Sequence, residues 1–359
     1  MDLVLNIIYS LLIIGLVILV HEFGHFIIAK KNGVHVVEFF VGMGPNICSF
    51  VKNGTRYSLK WIPFGGACVM LGNADGLPDE EIEKEIQDDD RAYNNKSVWA
   101  RISITVAGPI FNFLLALLIA IVLNALGGVD LPVLSQVEEG YPGEAAGLQA
   151  GDEIVKVDGH RITFYRDLTL YMNLDMTPGK EIPIVYERDG KQYETSLTPQ
   201  WDEELQRYRI GIVSNGYTKL GVWGTIKYGF SEVGYNMSLV FKSLGMLFSG
   251  QAGLNDLSGP VGIANMVGDV VEQSKPGGFY LIFLNLLNFT MFISANLGVM
   301  NLLPIPAIDG GKLVFLLIEA VRGKPVAKEK EGLVHVVGFV LLMILMVVVL
   351  FNDIRKLFI

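Results

Sequence analysis

The sequence predicts a polytopic α-helical membrane protein of about four transmembrane helices, with a membrane-associated β-hairpin or sheet and an inserted extracytoplasmic α+β module. Three observations carry that prediction. Of the 359 residues 51% are hydrophobic and 18% charged, with a mean hydropathy of +0.43, on the membrane side of ordinary globular composition. Apolar stretches long enough to cross a bilayer fall at about 4–29, 102–126, 279–303 and 333–351. Between the second and third, residues 130–215 alternate short apolar runs with charged turns and contain no span.

The first span carries V-I-L-V-H-E-F-G-H-F-I-I-A over 17–29. His21 and His25, four apart on a helix, share a face and can share a metal. Glu22 stands beside His21, within reach of water on that metal without being a ligand. This is the H-E-x-x-H zinc pattern at hydrocarbon depth. There, three idle ionisable groups are costly unless a metal, partners or a water cavity compensate them. No basic n-region precedes the apolar run and no small-residue cleavage site follows it, which predicts a retained span and not a signal peptide.

Lys30, Lys31, Lys96 and Arg101 flank the first long loop, and Lys312, Arg322, Lys324, Lys328 and Lys330 lie between the last two spans. The excess of cations places both loops in the cytoplasm and both termini outside. In a multi-pass protein of the cell membrane, the histidines then lie near the cytoplasmic side. The net charge of −9 argues against a nucleic-acid partner.

Within the first loop, V-V-E-F-F-V-G-M-G-P (36–45) and R-Y-S-L-K-W-I-P-F-G-G (56–66) are short extended runs ended by Gly and Pro. They predict a small hairpin or sheet near the membrane, whose Val36–Gly44 strand offers an edge to an extended peptide. Cys48 and Cys68 are expected as small core residues without a disulfide, and the acidic run 79–90 as a solvated segment. The second span opens with A-G-P-I-F-N (107–112), where Pro109 marks a first helical turn and Asn112 should face protein.

The run Y-P-G-E-A-A-G-L-Q-A-G-D-E-I (141–154) resembles the bacterial, circularly permuted PDZ domain, whose usual pattern is S-P-A-x-x-A-G-L-x-x-G-D-x-I. Tyr141-Pro142-Gly143 departs from it. PDZ domains bind peptides, C-termini included, by strand addition, and gating by size is the competing role. Residues 217–271 are amphipathic, with Trp223, Ile226, Phe230, Val233 and Val240 recurring among polar positions. One or two helices on the outer membrane surface are expected before L-S-G-P-V-G-I (257–263) breaks the pattern.

The third span ends in A-N-L-G-V-M-N-L-L-P-I-P-A-I-D-G-G (295–311). A catalytic zinc takes three protein ligands and keeps a fourth position open. Asp309, in a Pro/Gly-broken segment at the end of a span, is the candidate third ligand; a helix N-cap is the alternative. Asn296 and Asn301 are candidates to hydrogen-bond an extended peptide, or else serve as interhelical contacts. Glu319, His335, His35 and His160 are expected to be interfacial or solvated.

Together, H-E-F-G-H (21–25), the central PDZ-like run, S-G-P-V-G-I and N-L-L-P-I-P-A-I-D-G (301–310) resemble the site-2 protease family, in its bacterial RseP-like branch, over essentially the whole chain. The family's usual L-D-G is Ile308-Asp309-Gly310 here, and there is one PDZ-like module where some relatives have two. The resemblance implies a zinc metalloprotease that cuts single-span membrane proteins, such as anti-sigma factors, inside the bilayer. It also matches Gly42-Met43-Gly44 to a G-x-G segment of a membrane-re-entrant hairpin, making Gly42 and Gly44 candidate substrate contacts. The domain scheme is 1–129, 130–215 (PDZ), 216–275 and 276–359. A non-catalytic PDZ-bearing scaffold with a structural zinc is the rival, but such a site has no need of Glu22.

Overall fold

The computed structural model describes residues 2–73 and 89–356, so most of the acidic run, 79–88, lies outside the described residues. Helix α1 (Asp2–Lys31) is apolar almost throughout and ends on Lys30 and Lys31, cations that complement the carbonyl end of the helix. Two long strands follow, β1 (Val36–Lys52) and β2 (Thr55–Met70), joined at Asn53-Gly54 with φ of 51° and 75°. Two successive positive φ angles are the backbone of the favoured two-residue hairpin.

Both strands bend midway, so the hairpin folds into four paired segments. Residues 48–52 oppose 55–59, and Phe39 in turn is opposite Tyr57 on one side and Cys68 on the other. Gly42 and Gly44, with φ of 89° and 87°, form the reversal, and a Cβ on Gly42 would stand 2.6 Å from the Ile62 carbonyl oxygen. The strand expected to expose an edge, Val36–Gly44, is therefore interior over 38–41. Pairing on both flanks leaves it nothing to offer, and segment 66–70 borders the site instead. Cys68 is buried, packed with Ala29, Val34, Val36, Met70, Tyr93 and Ile104, whereas Cys48 is exposed and not a core residue.

Helix α2 (Val98–Gly127) begins earlier than expected, so Pro109 lies inside it, about three turns from its start. Pro109 gives no N–H to the carbonyl one turn back. Asn112 faces protein, with no exposed surface.

The chain forms two compact units, one from the chain up to Ala120 and from Glu232 onward, the other Ile121–Ser231. The second is β-rich. Strands β3 (Leu134–Val137), β4 (Glu153–Val157) and β5 (His160–Arg161), helix α3 (Tyr165–Leu174), and strands β6 (Ile182–Arg188), β7 (Lys191–Leu197) and β8 (Ile212–Ser214) are its main elements. The central sheet runs β5–β4–β6–β7, all antiparallel neighbours. Ile182, Ile184 and Tyr186 alternate inward along β6 and meet Leu134, Ile154, Val157, Leu168 and Tyr171 in one core. Asp152 of the G-D-E-I run is fully buried; it accepts the Gln149 N–H at 2.8 Å and pairs with Arg188 Nε at 2.6 Å. At the departure from the PDZ pattern, the Tyr141 hydroxyl donates to Asp202, which also pairs with Arg209. The Leu205 N–H first, then Arg209, hold the Asp202 carboxyl down to about 2. The stabilisation this gives is fully present above the ordinary carboxylate pKa and is lost progressively as pH falls from there through about 2.

Helix α4 (Val222–Phe248) covers about half of the expected amphipathic region and buries Val240 while leaving Trp223 and Phe230 exposed. The S-G-P-V-G-I run starts a helix as well as ending a pattern. Pro260 opens α5 (Pro260–Ser274), where its missing N–H is no loss, and one 3₁₀ turn leads into α6 (Gly278–Leu302). Helices α7 (Asp309–Arg322) and α8 (Lys328–Lys356) complete the described chain. Among the described residues four helical stretches are long and apolar enough to cross a membrane: Val4–Lys31, Val98–Gly127, Pro260–Leu302 and Glu329–Lys356.

Candidate metal centre

His21 and His25 stand one turn apart on α1, only 7% and 8% exposed. Asp309, the first residue of α7, meets them from the other end of the chain. His21 Nε2 lies 3.0 Å from Asp309 Oδ2, His25 Nε2 lies 3.3 Å from the same oxygen, and the two nitrogens are 3.2 Å apart. Ligands about 2.0–2.1 Å from a tetrahedral zinc ion are about 3.3 Å from one another. The triangle therefore has the edge lengths of one face of such a site, and these three residues form a group able to hold a metal.

The protonation pattern fits as well. His25 Nδ1 is 2.8 Å from the Ile104 carbonyl oxygen, which can only accept, so Nδ1 carries the proton and Nε2 turns its lone pair to the centre. Asp309 Oδ2 is buried without a hydrogen-bond donor. Lone pairs facing one another at such short range repel, and a cation between them removes the penalty. At His21 Nδ1 the neighbour is Asn112, with Nδ2 at 3.2 Å and Oδ1 buried without a partner. A half-turn of that amide exchanges two atoms of nearly the same size and gives His21 Nδ1–H an acceptor.

The close approach of α2 depends on glycine. A Cβ on Gly108 would lie 2.4 Å from His25 Nε2 and 2.7 Å from His21 Cε1, and one on Gly24 of α1 would lie 2.5 Å from the Ala107 carbonyl oxygen. Gly108→Ala is accordingly expected to push the imidazoles off the triangle and weaken zinc binding by about tenfold or more. Competition against a chromophoric chelator measures it. Glycine is equally required after Asp309, since a Cβ on Gly310 or Gly311 would run into the carbonyl oxygens of Leu303 or Ile305 as the loop doubles back.

A cavity of about 210 Å³ opens beside the triangle, lined by His21, Glu22, His25 and Asp309 together with Ala67–Met70 of β2, Tyr93, Thr105 and Lys312. Glu22 Oε2 accepts the Cys68 N–H at 3.0 Å, which ties the carboxylate to the strand segment bordering the cavity. Asn301 Nδ2 stands 3.4 Å from His21 Nε2. Asn296, Asn301, Gly42 and Gly44 are not among the cavity's lining residues, the glycines because they form the reversal of β1.

Two side chains expected to be interfacial or solvated make specific contacts. Glu319 of α7 pairs with Arg101 of α2 through both carboxylate oxygens, at about 15% exposure each, and so joins the helix that starts at Asp309 to the one that carries Gly108 and Asn112. His335 accepts a backbone N–H of the loop before Asp309. Sequence spacing carries no sign of either partner. His160 is exposed, as expected.

The model of peptidase family M50 matches residues 9–345. A Clostridium acetobutylicum protein whose name marks it as a candidate zinc metalloprotease is 38% identical over 349 residues, 97% of each chain. The regulator of sigma-W protease RasP of Bacillus subtilis is 32% identical over 427 aligned positions, covering 98% of this chain and 99% of its own. Among solved structures, the PDZ domain of an SdrC-like protein from Listeria innocua is 24% identical, with a TM-score of 0.22, over 25% of this chain and all of that one. The chain belongs to peptidase family M50, the site-2 proteases. It is a zinc metalloprotease and a multi-pass membrane protein.

Proposed function

We propose that the chain hydrolyses a peptide bond within or beside the membrane span of single-span proteins, with His21, His25 and Asp309 as zinc ligands and Glu22 as general base. The observation that carries this reading is the convergence of the three ligand atoms to 3.0–3.3 Å with Glu22 in the same cavity. Zinc supplies Lewis acidity, polarising a peptide carbonyl and making water more acidic. Glu22 Oε2 is held by the Cys68 N–H, which leaves Oε1 to take a proton from the attacking water and pass it to the leaving amine. Ile104 O, and Asn112 once its amide is turned to present Oδ1, keep the two imidazoles in the tautomers that turn the Nε2 lone pairs inward.

A helical substrate hides its carbonyls in its own hydrogen bonds, and unwinding it in lipid exposes costly polar groups. Segment 66–70 of β2, together with Asn301, can pair with the freed backbone. Asn296, Gly42 and Gly44 act further out, the glycines by shaping the sheet that presents 66–70. The site lies near the cytoplasmic side, and residues 130–215 form an extracytoplasmic PDZ domain that binds peptide C-termini or screens substrates by size. Residues 216–275 link that domain to the C-terminal helices.

The test reconstitutes the purified protein in lipid with single-span substrates and maps the products by mass spectrometry. Cuts are expected within or next to the span, lost on chelation and restored by zinc. Each Ala→Gly change in the substrate span should speed cleavage by up to about fivefold, the factor set by roughly 1 kcal/mol of helix propensity. Stoichiometric zinc with no turnover on any such substrate supports the scaffold reading instead.

A further inference from the structure

Asp309 opens α7, and the segment before it, L-P-I-P-A-I (303–308), contains no helix or strand to fix its path. Ala307, two residues before Asp309, has φ of +74°. The other described non-glycine residues with positive φ are Asn53, Asp158, Asp189 and Gln206, all with polar side chains. Asn and Asp tolerate this region by bonding locally, whereas alanine has only a Cβ that clashes. Something outside the loop must hold it there.

The support comes from near the far end of the chain. The Ala307 N–H donates to His335 Nδ1 at 3.0 Å. His335 lies on α8, and its ring centre is 5.6 Å from that of Phe315 on α7. Three residues on, a Cβ at Gly338 would lie 2.3 Å from Pro306 Cβ, so the α8 backbone presses directly on the loop. His335 and Gly338 share a helix face and grip consecutive loop residues, 307 and 306. His335 is not among the residues lining the cavity.

We propose that His335 is a positioning residue for the zinc site: by accepting the Ala307 N–H it holds Ala307 left-handed and thereby sets where Asp309 Oδ2 stands against His21 and His25. This rests on Asp309 being a zinc ligand. Without the acceptor nothing in the protein fixes the direction of the exposed Ala307 N–H, and the alanine gains nothing from its clash. The loop then relaxes, and the carboxylate moves with it.

The experiment uses purified full-length protein, with zinc affinity from chelator competition and thermal unfolding of the zinc-free protein measured in parallel. His335→Leu, which removes the acceptor and keeps apolar bulk, is expected to weaken zinc about tenfold or more, with unfolding of the zinc-free protein unchanged. His335→Asn, whose Oδ1 falls near the position of Nδ1, should bind as wild type does. Ala307→Gly placed in His335→Leu should restore affinity, because glycine needs no support at this φ. If His335→Leu does not fold, His335→Gln, whose amide reaches past the Nδ1 position, takes its place with the same expectations. Wild-type affinity in His335→Leu, or failure of Ala307→Gly to restore it, overturns the proposal. Asp309→Asn, run alongside, separates the layers. If it binds zinc like wild type, the ligand assignment has failed; if it weakens zinc while His335→Leu does not, only the positioning role has.

Discussion

Glu22→Gln is expected to abolish peptide cleavage while leaving zinc bound. Glutamine keeps the length of the side chain and retains a carbonyl oxygen for the Cys68 N–H, so the contact that places the group survives. What it loses is basicity, since an amide cannot take the proton of the attacking water. General acid–base catalysis contributes about 10²–10⁴-fold, and Glu22 is assigned both the uptake and the delivery of that proton, so kcat should fall by about a thousandfold or more. Metal content per chain should be unchanged. Glu22→Ala is the informative contrast: it also releases the tie to segment 66–70, so KM should rise where Glu22→Gln leaves it alone. Turnover of Glu22→Gln within tenfold of wild type would remove Glu22 from the mechanism.

The parts of the site that follow from local periodicity were legible in the sequence. His21 and His25 share a face because any helix puts residues four apart together, and the apolar run around them declares that helix. Asp309 stood out as a candidate because P-I-P-A-I-D-G-G breaks a span next to a carboxylate, although a helix start accounts for a carboxylate there as well, and Asp309 does open α7. Contacts between distant segments were not. Nothing in A-G-P-I-F-N says that Gly108 faces two imidazoles, or that Asn112 stands at His21 Nδ1, because what a glycine or an amide meets depends on the neighbouring helix. Glu319 and His335 look like ordinary boundary residues until Arg101 and Ala307 are seen opposite them. The sheet was half legible. The extended runs 36–45 and 56–66 announce a hairpin, but the second folding that buries 38–41 and turns 66–70 to the cavity comes from bends at Gly42–Gly44 and near Gly65, which a strand pattern of period two does not encode.

Asp309→Asn should separate metal binding from fold. The substitution keeps the shape of the side chain and leaves Gly310 and Gly311 free to accommodate the returning loop, so α7 should still start at the same residue. It removes the negative charge from the triangle, and a neutral amide oxygen is a poorer zinc ligand than a carboxylate. Disturbing groups behind a ligand costs about 10–100-fold in affinity, so replacing the ligand itself should cost at least about a hundredfold. Activity should fall with zinc occupancy and recover partly at high zinc, unlike that of Glu22→Gln, which no amount of metal restores. A catalytic zinc with three protein ligands adds to a fold that other contacts already hold. In this chain those contacts are the Arg101–Glu319 pair and the glycine-mediated packing of α1 on α2. Zinc-free wild type and Asp309→Asn should therefore unfold at nearly the same temperature. A large loss of stability on chelation, matched by Asp309→Asn, would make the metal a structural element and return the chain to the scaffold reading.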